Sequence, residues 1–356
     1  MPSSRLESIA HTTIAWSFYA LLFIVPLILT PWNYELFEFN KMLTVYVFTV
    51  IIAAAWLIRM ILAKSWLVRR TPFDLPLLLF LASQVLSTLF SINLRTSLLG
   101  YYSRFNGGLF SVISYILLYY AFVSNLNKKA VFNSIISLFT AATLVSLWGI
   151  AEHLGVDKNL WVQDVKSRVF STLGQPNWLA AFLLTLIPLA LAFSLSQKSI
   201  FSAYNLLFAL FYLTLLYTKS RSGILGFTFA YFVFWFLTLI RSILLRVTFP
   251  WKQFLILNFA LLTLSFVDTL RWIPQISSIG RWASGPNQSQ VAATSAIPTP
   301  AIGSQLEAGG SESGDIRKIV WAGAIKVWQH WPIFGSGVET FAYSYYNFRP
   351  AAHNLV

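Results

Sequence analysis

The chain of 356 residues has no cysteine, which excludes disulfides and thiolate metal sites. Charge is scarce as well. Only 10% of residues are charged and 57% are hydrophobic, against about 25% charged in a soluble domain. Acids are fewest: 12 Asp and Glu face 25 Lys and Arg, for a net charge of +13. No DxD pair occurs, and Asp164 and Asp315 are far apart, so the acids offer no metal-ligand spacing and no metal is expected. Gly335-Ser336-Gly337 lacks the third glycine and the preceding strand of a dinucleotide site. The apolar runs are continuous and do not alternate, which argues against a β-barrel. No small-residue cleavage site follows the run from Ile14 to Thr30, so it reads as an uncleaved first span. The basic residues are scattered through short loops and form no single patch. They suit anionic lipid head groups and diphosphates, not nucleic acid.

What is there is a series of apolar runs, each near the ~20 residues that cross a bilayer as a helix. Nine spans are predicted, at 14–30, 42–62, 75–91, 107–124, 131–151, 178–196, 200–217, 223–240 and 253–270. The expected fold is all-α, a polytopic helical integral membrane protein with a long extracytoplasmic loop carrying short helices. Pro26 and Pro188 fall inside spans, as protein-lined membrane helices tolerate. Counted from a cytoplasmic N-terminus, the inside loops and span ends hold eleven Lys and Arg, and the short outside loops hold eight. That is a modest positive-inside bias. The same parity puts 152–177, 218–222 and everything after 271 on the outer face.

Two domains are expected: a transmembrane helical domain over 1–270 and an extracytoplasmic loop subdomain over 271–356. Within the latter, 281–314 is rich in Gly, Ser, Ala, Pro, Thr and Gln and reads as disordered or mobile. Residues 315–356 read as helical. Asp315 is placed to cap a helix with Ile316, Val320, Val327 and Trp331 on an apolar face and Lys318 and Lys326 away from it. Pro332 disfavours helix at Trp331 and ends it. Phe334-Gly335-Ser336-Gly337 reads as a tight turn, and a second helix is expected over 338–348.

Three groups of residues carry chemistry. Arg168 precedes Gly174-Gln175-Pro176-Asn177, where Pro176 holds its predecessor extended and Asn177 can cap the span that follows. Arg221 lies in Ser220-Arg221-Ser222-Gly223, between two closely spaced spans, with Lys219 beside it. Either arginine can be explained by interfacial snorkelling. Together they can also clamp a diphosphate, since a guanidinium fork matches two phosphate oxygens where lysine is a point charge. The third group is His353 beside Asn354, with Arg349 four residues before. An imidazole with an unperturbed pKa near 6.5 suits general-base work. His11, His153 and His330 read as structural.

The ordered set Arg168, Gly174, Pro176-Asn177, Ser220-Arg221-Ser222-Gly223, Arg317, Trp321, Pro332, Gly335, Gly337 and His353-Asn354 resembles the O-antigen ligase family of bacterial envelope enzymes. That superfamily also holds O-antigen polymerases and protein O-oligosaccharyltransferases. The resemblance covers about residues 160–356; the earlier spans match in hydropathy alone. It implies an integral-membrane glycosyltransferase of the cytoplasmic (inner) membrane, with no cofactor and no metal. The donor would be an undecaprenyl-diphosphate-linked glycan, and the acceptor a glycan, lipid or protein. Arg168 and Arg221, helped by Lys219, would hold the diphosphate. His353 would activate the acceptor for inverting attack. Arg317, Arg349, Asn177 and Asn354 would be further substrate contacts, and Tyr343, Tyr345 and Tyr346 would stack on sugars or anchor at the interface. Family members continue past His-Asn with further spans, so a chain stopping at Val356 reads as C-terminally truncated.

Two other classes stay open from the residues. A lipid-linked glycan transporter should show charged or broken helices near the midplane, whereas the span interiors here are almost free of charge. A structural envelope protein leaves the arginine and histidine motifs without a role.

Overall fold

The computed structural model describes residues 5–30, 32, 35–161, 163–196, 202–269 and 312–350. His353, Asn354 and most of the 281–314 segment lie outside them. Among the described residues there is no strand; the chain is helical throughout. The helices are α1 (Arg5–Leu27), α2 (Glu38–Ala63), α3 (Asp74–Leu89), α4 (Leu94–Leu99), α5 (Leu109–Asn125), α6 (Lys128–Leu154), α7 (Pro176–Leu195), α8 (Ala203–Tyr217), α9 (Arg221–Leu245), α10 (Trp251–Thr269), α11 (Glu312–His330) and α12 (Phe341–Phe348).

Every predicted span coincides with one of these helices. Five of them, α1, α2, α6, α7 and α9, are long and apolar enough to cross a membrane. The apolar helices α3, α5, α8 and the 251–266 part of α10 are shorter. The chain is a helical integral membrane protein. Long apolar side chains such as Leu79, Phe229 and Phe259 stay exposed because lipid, not protein, is their solvent.

The chain divides into two compact units, one made of 1–141, 172–174 and 306–356, the other of 142–171 and 175–305. In the first, Ala10, Ile14 and Phe18 of α1 pack on Ile52, Ala55 and Trp56 of α2 and on Ala121 of α5. Phe18 meets Phe122 edge-on at 5.2 Å. Pro26 interrupts the last turn of α1, and its carbonyl accepts from the Thr172 hydroxyl at 2.7 Å.

The first unit also holds α11 and α12. α11 begins at Glu312, so Asp315 lies within its first turns and is not the cap expected of it. Val327 is buried, Val320 half-buried, and Lys318 and Lys326 exposed. α11 ends at His330, as Pro332 requires. Gly335 and Gly337 take φ of +70° and +119°, open to glycine at little cost. Because Glu339 is also left-handed (φ 58°), the turn extends to Thr340, and α12 starts at Phe341 and not at 338. This turn is pinned to the α3–α4 connection. Ile92 N–H donates to the Ser336 carbonyl at 2.9 Å, Ser97 Oγ donates to the Val338 carbonyl at 2.8 Å, and Phe90 stacks on Phe334 at 4.7 Å.

In the second unit, α7 buries a stripe of Leu179, Leu183, Leu186, Ile187, Ala190 and Leu191, the 3–4 spacing of one helix face. It packs against α8, which buries Phe208, Phe211 and Leu215, and against α9. A Cβ built on Gly223 of α9 would lie 2.7 Å from Ala180 Cβ on α7. Glycine therefore sets how closely the two N-terminal ends approach.

Candidate functional site

The turn between α8 and α9 is only three residues long. Thr218 and Ser220 are buried, and Lys219 between them is left-handed at φ 48°. Thr218 Oγ1 donates to the Leu215 carbonyl at 2.7 Å and accepts from Ser220 N–H at 3.2 Å. Ser220 is the N-cap of α9; its Oγ accepts from Gly223 N–H at 3.1 Å. The same hydroxyl donates to Asn177 Oδ1 at 2.8 Å, tying the first turn of α9 to the first turn of α7.

Asn177 is therefore not the cap expected from the sequence. Gln175 is extended (φ −147°, ψ 136°), as Pro176 dictates, but α7 begins at Pro176 itself, and no side chain caps it. Proline at the first helical position needs no N–H partner there, which moves Asn177 into the first turn, facing Ser220.

Arg168 arrives at this corner from the 155–171 connection. The carbonyls of Tyr217 and Thr218 at the end of α8 are taken up by this segment. Val169 N–H donates to the Tyr217 carbonyl at 3.2 Å, and Arg168 Nε donates to the Thr218 carbonyl at 3.3 Å. One edge of the guanidinium is thus fixed to backbone. Among the described residues its two Nη groups make no hydrogen bond or ion pair, and neither do the Lys219 Nζ or the Arg221 guanidinium. Thr218 is one residue before Lys219 and three before Arg221, a reach of at most about 11 Å.

The second unit therefore brings Arg168, Asn177, Lys219 and Arg221 together. The N-terminal ends of α7 and α9 open at the same corner, each contributing partial positive charge. Three side-chain cations with no carboxylate partner among the described residues lie beside two helix N-termini, an arrangement chemically suited to an anion with several oxygens.

The remaining candidates belong to the first unit. Arg317 is exposed on α11. Arg349 follows α12 and lies over the Tyr346 ring at 5.0 Å, so its cation is engaged with an aromatic face. Tyr343 and Tyr346 are exposed. His330 is exposed and packs edge-on to Trp331 at 4.3 Å. His353 and Asn354 lie outside the described residues.

Sequence reasoning missed Thr218 and the capping role of Ser220, which together hold the corner. Ser220 carried a legible signal: a serine three residues before Gly223 at the start of an apolar run is an N-cap pattern. The Thr218 carbonyl carried none, since a backbone acceptor has no residue type.

Residues 206–355 match the family model described as O-antigen ligase (Wzy_C). No curated protein and no solved structure matches the chain.

Proposed function

From the match of residues 206–355 to the O-antigen ligase family model, we propose a membrane glycosyltransferase that moves a glycan from an undecaprenyl-diphosphate carrier to an acceptor at the outer face of the cytoplasmic membrane. The family match supports the ligase or polymerase class of chemistry. The donor chemistry rests on one observation above all: Arg168 is drawn by its Nε to the Thr218 carbonyl, beside Lys219 and Arg221, with its Nη edge unengaged.

In this reading the diphosphate sits at the corner of α7 and α9. Arg168 and Arg221 engage its oxygens through paired N–H donors, with Lys219 as a point charge and the Asn177 amide as a further donor. These groups stabilise the charge that develops as the glycosyl–oxygen bond breaks. The acceptor hydroxyl attacks from the opposite face, and His353, with Asn354 beside it, takes the hydroxyl proton. Arg317 and Arg349 are further substrate-contact candidates in this reading. Lipid, glycan and protein acceptors all offer such a hydroxyl.

The test is lysine substitution. Arg168→Lys and Arg221→Lys keep the charge and lose the fork, and each should lose on the order of 2–3 kcal/mol of donor interaction, about 30- to 150-fold in turnover at limiting donor. Turnover is measured on the purified chain with lipid-linked glycan and candidate acceptors. Near-normal turnover in both variants makes the arginines interfacial and removes the clamp. Elongation of the donor glycan itself would identify a polymerase in place of a ligase.

A further inference from the structure

Glu152 is the acidic residue of α6, a helix long and apolar enough to cross a membrane, and only 1% of its surface is exposed. A carboxylate there is costly unless charge-assisted hydrogen bonds hold it, and such residues in membrane helices generally serve a function. Its Oε2 accepts from two consecutive backbone N–H groups, Phe170 at 3.0 Å and Ser171 at 2.8 Å. These lie two and three residues after Arg168. We propose that Glu152 is a positioning residue for Arg168: by gripping the Phe170 and Ser171 amides, its carboxylate fixes the strap from which the Arg168 guanidinium meets the diphosphate.

The surroundings fit a strap laid along one face of α6. Val145, Gly149 and Glu152 share that face at helical spacing. Ser171 Oγ donates to the Val145 carbonyl at 2.7 Å. A Cβ on Gly149 would meet Ser171 Cβ and Val169 Cγ2 at 3.7 Å each, so the strap lies in contact with the helix. Ser171 is left-handed at φ 53°, a conformation that L-residues hold only when their neighbours over-determine it. From the other side, Trp161 packs edge-on to Phe170 at 5.3 Å, with its indole N–H donated to Asp157 Oδ2 at 2.7 Å.

Three successive N–H groups, 169 to 171, are thereby committed, the first to the Tyr217 carbonyl and the next two to Glu152. Without the carboxylate the latter two lose their acceptor. The strap can then relax its left-handed residue and carry the root of Arg168 away from the Thr218 carbonyl.

This inference rests on the diphosphate reading of Arg168, and a double-mutant cycle separates the two. Binding of a polyprenyl diphosphate to the full chain in lipid nanodiscs is measured for wild type, Glu152→Ala, Glu152→Gln, Arg168→Ala and the double alanine variant. Arg168→Ala should weaken binding at least about tenfold. Glu152→Ala should weaken it comparably, and the double variant should be no weaker than Arg168→Ala alone. Glu152→Gln keeps an oxygen that can accept both N–H groups and should stay within about threefold of wild type. A purely structural glutamate would instead give losses that add to those of Arg168→Ala, and additive losses overturn the proposal. So does wild-type affinity in Glu152→Ala. If Glu152→Ala does not fold, Glu152→Asp decides. Its shorter side chain should weaken binding when Arg168 is present and have no effect when combined with Arg168→Ala; equal effects in both settings, or none in either, overturn the proposal. Unchanged binding by Arg168→Ala overturns the diphosphate reading itself, and this inference with it.

Discussion

Lys219 combines two properties that a substitution can separate. Its left-handed backbone at φ 48° is the chain's means of turning from α8 into α9 in three residues, and its ammonium makes no ion pair among the described residues. Glycine adopts that backbone without a steric penalty. Lys219→Gly should therefore keep or slightly raise the thermal midpoint, by a few tenths of a kcal/mol, while weakening diphosphate binding several-fold through the lost charge. Thermal unfolding and binding on one preparation read both effects. His353→Gln is the matching test of the base: it keeps size and hydrogen bonding but not basicity. It should abolish transfer and leave donor affinity nearly intact. At this scale the sequence made Arg168, Lys219 and Arg221 legible, because cations beside short breaks in apolar runs stand out. Glu152 was not legible as a partner of that site. It acts through backbone amides, which no residue type advertises.

Two glycines set the packing of α7 on α9, and they differ in what faces them. A Cβ at Gly223 would lie 2.7 Å from Ala180 Cβ, which cannot swing aside; at Gly226 it would lie 2.7 Å from Leu184 Cδ2, the end of a flexible side chain. Gly223→Ala should cost about 1–3 kcal/mol by overpacking and open the corner, whereas Gly226→Ala should be nearly neutral. Thermal unfolding in detergent checks the order, and equal effects would mean that the helices simply move apart. The apolar helices were readable from run length alone. Their ends were less so, because caps and turns decide them. Pro176 takes the first helical position and so puts Asn177 inside the helix it was expected to cap, and Glu339 lengthens the turn before α12 by adopting a left-handed backbone. α4, a single short helix capped by Asn93 onto Thr96 N–H at 3.1 Å, has too few residues to show a period.

For the whole chain, the absence of cysteine makes topology directly measurable. Single cysteines at Ser167, Ser222 and Ser304 should all react with a membrane-impermeant thiol reagent in intact cells if the arginine corner and the 271–356 segment share the outer face. Labelling of only one or two breaks that arrangement. Composition marks a boundary near residue 270, whereas compactness groups 306–356 with 1–141. Packing partners so distant in sequence leave no local trace. The α3–α4 connection and the turn at 336–338 are an example, joined by two hydrogen bonds across more than 240 positions.

The arginine corner is held in place by backbone, through Thr218 for Arg168 and Ser220 for the start of α9. A cationic site that stiff does not relax when its ligand changes. Under the transfer proposed above, the departing carrier exchanges a glycosyl ester for a free terminal phosphate oxygen and so gains close to one negative charge at neutral pH. The spent carrier should then bind more tightly than the loaded one, and product release should limit steady turnover. Added carrier diphosphate should act as a competitive inhibitor stronger than its monophosphate. Sustained flux would call for a phosphatase that removes the extra charge.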